Sequence, residues 1–411
     1  MIATSDKKVE EVAREGSAIS GLGIYVQVPF CQTKCTYCNF HTGVVSSARF
    51  TPYMDAVCKE IRGWRELYRE AGLRVEDGRS AAIEKNVIET VYIGGGTPSM
   101  LEPRLLAQLL ATIRETFAGE PKEVTLEADP ETVTEEKAAA WVHAGINRVS
   151  FGVQSFVDAE LKAAGRMHRA ADVFRAHDIL RKAGITNISF DLIAGLPHQT
   201  RRSWQESLDE LRKLAPEHVS IYLLEVDEGS RLGKELLQGG TRYSASAVPS
   251  DDEMAECYEA ACESLRTAGY EHYEISNWAK PGFASRHNLK YWQREPYLGF
   301  GAGAHSFSGS ERWANAHDAA EYVKAIEGGR LPAEQRETVT KEMALEEELF
   351  LGLRKLEGID VRRIERIYGV ELDERFAEFE TAGLVEREGD VVRLAEGKLS
   401  VSNEVFVGLM R

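Results

Sequence analysis

Short apolar segments alternate with longer amphipathic segments through the first 230 residues of the chain. The short segments are rich in β-branched residues and are predicted to be strands at 23–28, 87–93, 123–128, 147–153, 187–193 and 218–223. The longer segments repeat apolar residues every three or four positions and are predicted to be helices at 52–69, 103–117, 158–164, 171–183 and 203–214, with another ending near residue 141. The polar stretches 1–20 and 70–86 are predicted to be a flexible N-terminus and a loop.

The alternation of strands and helices predicts an α/β fold with a parallel sheet and right-handed crossovers. Six such units can form an open sheet or a partial (β/α)6 TIM-like barrel, and both place their chemistry at the carboxyl ends of the strands. Beyond residue 230 the alternation stops, although one more amphipathic helix is predicted at 251–268. The segment 270–310 is rich in glycine and aromatic residues and gives no clear assignment.

A different pattern begins near residue 340. Helices are predicted at 341–356, 360–367 and 372–382, followed by a hairpin at 385–394. This order indicates a small winged-helix-like α+β domain. We therefore expect four parts, which are a flexible N-terminus (1–20), the α/β core (21–235), a segment that covers the barrel (236–335) and the C-terminal domain (336–411).

The amino-acid composition and charge limit the classes of function that this protein can have. The 411 residues include 66 acidic and 50 basic side chains, and the net charge of −16 argues against nucleic acid as a main partner. No stretch approaches the ~18 consecutive apolar residues of a membrane-spanning helix. The first twenty residues lack the apolar centre of a secretory signal, so we expect a cytoplasmic location.

The cysteines provide the strongest chemical signal. Three of the six, Cys31, Cys35 and Cys38, form a C-x3-C-x2-C motif directly after the first predicted strand. Three thiolates on one tight loop can bind three irons of a [4Fe–4S] cluster and leave the fourth iron open for a small molecule. A zinc site is the alternative, because His41 can supply a fourth ligand. The other cysteines, at 58, 257 and 262, lie in predicted helices and are expected to be structural.

Polar residues also follow the later strands. The run 94–98 (GGGTP) follows the second strand, and glycine there lets the backbone approach a ligand closely. Glu127, Gln154 and Asp191 lie at or just after strand ends, and Arg166 follows in the next helical segment. Glu127 can bind a hydroxyl group or be an ordinary surface carboxylate, and each residue alone is more often structural.

The cysteine motif, with its aromatic residue before the last cysteine, resembles the signature of the radical S-adenosylmethionine (SAM) superfamily. This resemblance implies that the cysteines bind a [4Fe–4S] cluster, that SAM chelates the open iron, and that an electron donor allows its cleavage to a 5′-deoxyadenosyl radical. Nine residues are then expected to contact SAM, namely Tyr25, Tyr37, Gly95, Gly96, Thr97, Glu127, Gln154, Arg166 and Asp191.

Several segments together resemble one branch of that superfamily, the oxygen-independent coproporphyrinogen III oxidase family and its relatives. They are YVQVPFC, GGGTPS, LEADPET, NRVSFGVQSF, GRMHRA and FDLIAGLP, in this order within residues 22–310. Gln27 departs from the family, which commonly has histidine there. Phe40 stands where the oxidase itself has a fourth cysteine, which argues against oxidase activity.

The segment 287–292 (HNLKYW) resembles the HNxxYW motif of the heme chaperone (HemW) branch of this family. The resemblance implies that His287 is an axial ligand of heme iron and that Asn288, Tyr291 and Trp292 contact the porphyrin. His305 is a weaker ligand candidate. The short N-terminal segment also fits this branch.

The expected function is therefore binding of heme and its transfer to apo-proteins, such as respiratory cytochromes at the membrane. Two alternatives are kept, a coproporphyrinogen III oxidase that consumes SAM and a non-redox metal-binding module. Whether SAM is cleaved during function, whether the protein is an enzyme and whether it forms a homodimer are left open by the sequence.

Overall fold

The computed structural model of the chain describes residues 21–73 and 81–410. The expected flexible N-terminus (1–20) lies outside the described residues. The described strands are β1 (Leu22–Val28), β2 (Ile88–Gly95), β3 (Glu123–Ala128), β4 (Arg148–Gln154), β5 (Asn187–Ala194), β6 (His218–Leu223), β7 (Glu271–Glu274), β8 (Asn277–Ala279), β9 (Tyr297–Phe300), β10 (His305–Phe307), β11 (Glu311–Asn315), β12 (Ala333–Thr338), β13 (Ile359–Asp360), β14 (Val385–Glu388) and β15 (Val391–Leu394).

The helices follow the predicted alternation up to residue 214. The described α-helices are α1 (Phe50–Glu70), α2 (Ala81–Lys85), α3 (Pro103–Thr116), α4 (Glu135–Ala144), α5 (Asp158–Ala163), α6 (Ala170–Ala183), α7 (Arg201–Leu214), α8 (Arg231–Leu237), α9 (Asp251–Thr267), α10 (Arg286–Trp292), α11 (Ala319–Glu327), α12 (Lys341–Arg354), α13 (Val361–Tyr368), α14 (Asp373–Thr381) and α15 (Ser402–Leu409). The prediction of a loop through 70–86 is wrong for α2, which lies within it, and its part at 74–80 lies outside the described residues.

A single curved sheet forms the centre of the core. The six predicted strands β1 to β6 are neighbours in chain order and run parallel, and β9 adds a further parallel strand beside β1. Antiparallel strands β10, β11 and β12 extend the sheet at one edge, and β8 and β7 extend it at the other. The predicted partial barrel is thus confirmed, and its sheet does not close.

The spacing of apolar residues in helix α1 predicts which face of the helix is buried. Its apolar face, which includes Met54, Val57, Ile61, Trp64 and Tyr68, is buried in the core. These side chains recur at the spacing of one helix face, so the predicted stripe is the surface that the helix buries.

Helix α10 closes the amino end of the barrel. The carboxylate of Glu123, at the start of β3, accepts hydrogen bonds from the backbone N–H groups of Arg286 (3.1 Å) and His287 (3.0 Å). Lys290 donates to the carbonyl oxygen of Gly21 at 2.6 Å and forms an ion pair with Glu89 at 2.7 Å. These contacts join α10 to the amino ends of β1, β2 and β3, opposite the ends where the cysteines lie.

The C-terminal part contains the predicted three helices and hairpin. Strands β13, β15 and β14 form a small antiparallel sheet, and helices α12, α13, α14 and α15 accompany it. Ion pairs such as Arg354 to Glu274 (2.7 Å) and Arg294 to Glu347 (2.9 Å) link α12 to the rest of the molecule. In the described part of the chain, no helix combines the length and apolarity that crossing a membrane would need.

Candidate functional site

A cavity of about 650 Å³ opens at the carboxyl ends of the parallel strands. One wall is the cysteine loop, and the ends of β2 to β6 form its interior. Another side of the cavity is formed by three residues of the C-terminal part, Phe350, Arg354 and Phe406. The cavity therefore lies where the strand order predicts chemistry.

The three predicted cluster ligands lie together on the cavity wall. Cys31, Cys35 and Cys38 are free thiols with intermediate exposure, and burial raises the pKa of Cys31 and Cys38. Among the described residues, no group of three or more His, Cys, Asp and Glu side chains is arranged to hold a single metal ion. A cubane cluster suits three thiolates on one loop, because each of them binds a different iron.

The glycine run holds the cysteine loop against the sheet. Gly96 N–H donates to Val28 O at 2.8 Å, and Thr97 N–H donates to Phe30 O at 2.7 Å. A Cβ atom at Gly96 would lie 2.4 Å from Phe30 O, and Gly95 has a φ of +111°. Gly96 therefore requires glycine because a Cβ there would push the cysteine loop away, and Gly95 requires it because of its positive φ.

Glu127 lies in the cavity and has two hydrogen-bond donors. Its carboxylate accepts from Gly95 N–H and from the Tyr92 hydroxyl, both at 2.9 Å. Burial raises the pKa of Glu127 to about 7. The structure therefore places Glu127 inside the cavity and not on the outer surface of the protein.

Arg166 and Gln154 present polar atoms that are not fully paired. Arg166 donates to the Gly152 carbonyl at 2.8 Å, pairs with Asp129, and lies 3.5 Å from the Cys35 sulfur, yet its Nε is buried without a partner among the described residues. Gln154 has a φ of +65°, and its Oε1 is likewise buried and unpaired in the described structure. Buried polar groups normally have partners, so these two atoms can still accept or donate a hydrogen bond.

Asp191 and Tyr37 also line the cavity, whereas Tyr25 does not. The Ser150 hydroxyl donates to Asp191 at 3.4 Å, and burial raises the pKa of Asp191. The Tyr25 hydroxyl instead donates to Gln27 Oε1 at 2.6 Å. This bond gives Gln27, the residue that departs from the family pattern, a structural partner.

The predicted heme motif lies elsewhere, in α10 at the amino end of the barrel. Only Asn288 of its predicted heme contacts reaches the cavity. His287 is 1% exposed, with Nδ1 2.8 Å from the Thr90 hydroxyl and Nε2 2.9 Å from the Tyr291 hydroxyl. Trp292 lies under the Arg354 guanidinium, 4.5 Å from its ring centroid. His287, Tyr291 and Trp292 thus do not line the cavity, and the role of the motif in binding heme stays a prediction.

Sequence reasoning missed several lining residues. Asp129 had a signal, because it follows Glu127 by two positions in the same motif and now pairs with Arg166. His218, at the start of β6, had none. Arg354 and Phe406 come from the C-terminal part, whose position beside the cavity no local pattern predicts.

Comparisons with known proteins agree with this geometry. The family model of the radical SAM superfamily matches residues 25–211, and that of the HemN C-terminal domain matches residues 339–396. A solved structure of coproporphyrinogen III oxidase (HemN) from Escherichia coli superposes with a TM-score of 0.79 over 98% of this chain and 93% of that chain. Its sequence identity is 20%, so it supports the fold alone.

Curated relatives are more similar in sequence. The chain is 35% identical to the heme chaperone HemW of Bacillus subtilis over 93% of this chain and 97% of that protein. It is 33% identical to the heme chaperone HemW of Mycobacterium tuberculosis over 92% of both chains. It is also 36% identical to a mitochondrial radical S-adenosyl methionine domain-containing protein 1 of Mus musculus, over 70% of this chain and 61% of that protein. The chain therefore belongs to the radical SAM superfamily and, within it, to the family of the heme chaperones HemW.

Proposed function

We propose that the protein is a heme chaperone that carries a SAM-ligated [4Fe–4S] cluster and delivers heme to apo-proteins. The observation that carries this proposal is the cavity itself, which is lined by three free thiols and by polar atoms that are buried and unpaired among the described residues, in a chain that aligns with heme chaperones almost end to end. We place this activity in the cytoplasm, with respiratory cytochromes at the membrane as recipients and an electron donor for the cluster.

Cys31, Cys35 and Cys38 are the proposed ligands of the cluster, which supplies electron transfer and an open iron when bound. Arg166 stands beside Cys35, and its fixed charge suits the carboxylate of SAM. Asp129 holds that guanidinium in place. The site therefore provides a cation next to the thiols before any ligand enters.

Other residues suit the remaining groups of SAM. The Glu127 carboxylate can accept from a ribose hydroxyl, and its two existing donors fix its orientation. Gln154 Oε1 can accept from an amino group, which would satisfy a buried atom that has no partner within the described part of the chain. We further propose that Tyr37, Gly95, Gly96, Thr97 and Asp191 border the bound SAM. Tyr25 would act indirectly, through its bond to Gln27 and its stacking on Tyr92.

Phe40 favours the chaperone over the oxidase. Its side chain is 65% exposed and has no thiol to offer a substrate or cluster. We infer that coproporphyrinogen III is not turned over.

The test is heme binding and transfer by cluster-loaded protein. Protein reconstituted anaerobically should keep a heme Soret band after desalting and pass the heme to an apo-cytochrome. Cys35→Ala should lose the cluster absorbance completely, whereas the matched variant Cys262→Ala, outside the cavity, should keep it. Folded, cluster-loaded protein that retains no heme but decarboxylates coproporphyrinogen III would overturn the proposal in favour of the oxidase.

A further inference from the structure

The cavity reaches from the cysteine loop down to helix α10 at the amino end of the barrel. Three of its lining residues lie at this deep end. Arg148 and His218 are the first residues of β4 and β6, and Asn288 belongs to α10. We call Arg148, His218 and Asn288 the cavity floor. None of the three is among the residues proposed to contact SAM, so this part of the cavity is left for another ligand.

Arg148 is a buried cation without a counter-ion in the described part of the chain. Its side chain lines the cavity, although the residue is only 2% exposed. Its Nε is buried without a hydrogen-bond partner, and none of its nitrogens forms an ion pair with a described carboxylate. Thr125 lies beside it in β3, and the Thr125 hydroxyl is likewise buried and unpaired among the described residues. Burying a charge without a partner is costly, so the floor is built at the expense of stability.

The titratable neighbours of Arg148 do not neutralise it. Burial lowers the pKa of His218 well below its usual value, so its ring is neutral. The two ring nitrogens of His218 lie 2.8 Å from the hydroxyls of Ser189 and Tyr273. Burial raises the pKa of Asp191, and the charge of Arg148 opposes that rise, yet the two side chains form no ion pair. An anion that enters the floor would therefore meet a cation that the described residues leave unpaired.

Arg148 enters the cavity at a different depth from Arg166, the proposed partner of the SAM carboxylate. Arg166 donates to the carbonyl oxygen of Gly152, which lies further along β4. Because a strand rises by ~3.3 Å per residue, the Cα atoms of Arg148 and Gly152 are roughly 13 Å apart. One arginine is thus placed for SAM near the cysteines, and the other is placed for a second anionic group near α10.

We propose that the cavity floor binds the carboxylate of a second ligand, with the guanidinium of Arg148 as its main partner and the Asn288 amide as a further donor. A planar guanidinium suits this group because it donates two parallel hydrogen bonds to a carboxylate. The carboxylate belongs to a small carboxylic acid or to a propionate of a porphyrin, and only the second source rests on the proposed function. Asn288, the one predicted heme contact that lines the cavity, then acts as a donor to a ligand edge.

The first measurement is urea unfolding of cluster-loaded Arg148→Met, which has no charge at this position. Since Arg148 has no counter-ion among the described residues, the urea midpoint of this variant should be unchanged or higher. Arg181→Met is the matched control, because Arg181 pairs with Glu217 at 2.8 Å outside the cavity, and its midpoint should fall. A lower midpoint in Arg148→Met would overturn the proposal, because it would show that Arg148 stabilises the fold without a ligand.

The second measurement is calorimetric titration of the cluster-loaded protein with succinate, in the presence of SAM so that the proposed SAM site is filled. The parent should bind succinate, and Arg148→Met should bind it roughly 10- to 100-fold more weakly, the loss expected for hydrogen bonds to a charged group. Arg148→Lys keeps the charge but not the planar fork, so its affinity should lie between the two. Chloride that competes with succinate as well as acetate does would overturn the carboxylate assignment.

Ferric heme and its dimethyl ester separate the two sources of the carboxylate. For a porphyrin propionate, the parent should bind heme more tightly than the ester, and Arg148→Met should bind both equally. For a small acid, Arg148→Met should lose succinate and bind heme as the parent does. Equal binding of both succinate and heme by parent and Arg148→Met would overturn the inference. A parent that binds no heme but binds succinate through Arg148 would overturn the proposed function alone.

Discussion

His287 and Lys290 at the amino end of the barrel differ in their polar contacts from Gln154 and Arg166 at the carboxyl end. At the amino end, His287 has both nitrogens paired, and Lys290 contacts a carbonyl oxygen and two carboxylates. At the carboxyl end, Gln154 Oε1 and Arg166 Nε are buried without partners among the described residues, beside free thiols. The difference separates residues whose contacts join α10 to the sheet from residues that we propose to contact SAM. A motif histidine can belong to the first kind even where family resemblance suggests the second.

The largest expected effect is a loss of stability when Lys290 is replaced. Its ammonium group is almost fully buried between Glu89 and Glu295, at 2.7 and 2.8 Å. Lys290→Met should lower the free energy of unfolding by about 3–5 kcal/mol, because Glu89, Glu295 and the Gly21 carbonyl oxygen all lose a buried, charged donor. Urea unfolding measures this.

The matched control for that prediction is Lys122→Met. Lys122 pairs with the same Glu89 at 3.0 Å, but its side chain is 63% exposed. A surface ion pair contributes at most about 1 kcal/mol to stability, so the free energy of unfolding should fall far less in this variant. Equal losses in the two variants would contradict the view that burial at the amino end fixes α10.

A smaller effect is expected at the carboxyl end, where Arg166→Lys should affect ligand binding more than stability. Lysine keeps the charge but cannot reach the Gly152 carbonyl, Asp129 and a SAM carboxylate with a planar fork. We expect SAM to bind roughly 10- to 100-fold more weakly, the equivalent of about 1.5–3 kcal/mol for a hydrogen bond to a charged group. Equilibrium dialysis of cluster-loaded protein measures it. Arg175→Lys, a 52% exposed arginine, is the control, and an equal loss there would refute the assignment.

The smallest expected effect is on how stability depends on pH. His287 at the amino end and Glu127 at the carboxyl end should change this dependence in opposite directions. Burial lowers the pKa of His287 to about 3, so its contribution to stability is present above its unfolded value of about 6.5 and is lost as pH falls towards 3. Burial raises the pKa of Glu127 to about 7, so its contribution is present below about 4.3 and is lost as pH rises through 7.

For each of these two groups, the free energy of unfolding changes by at most about 1.4 kcal/mol per pH unit. Urea unfolding of His287→Asn and Glu127→Gln between pH 5 and 7 should therefore change the pH dependence of the parent in opposite directions. Parallel profiles in the parent and both variants would show that neither group titrates with folding.

The sequence predicted the long, regular elements well. β3 and β6 have the predicted bounds, because their alternation with amphipathic helices is strong. The segment 270–310 gave no assignment, since β7 to β10 contain only three or four residues each and depend on distant partners, as β9 does on β1. Periodicity cannot be measured over so few positions.

Sequence analysis correctly placed the cavity residues that lie at the ends of the parallel strands. Glu127, Gln154 and Asp191 all line the cavity, because parallel strands bring their carboxyl ends together. Tyr25 stands in the middle of β1 and faces Gln27 instead. The wall formed by Arg354 depends on how the C-terminal part docks, which is a tertiary property that local sequence does not encode.

The contacts of α10 have a consequence for the order in which the chain folds during synthesis. His287 and Thr90 are 197 positions apart, and Lys290 and Gly21 are 269 positions apart. A ribosome must therefore release most of the chain before these contacts can form, and such high contact order makes their closure slow. The cysteine loop and the first six strands are complete well before that point, so the nascent barrel stays open at its base until α10 arrives to seal it.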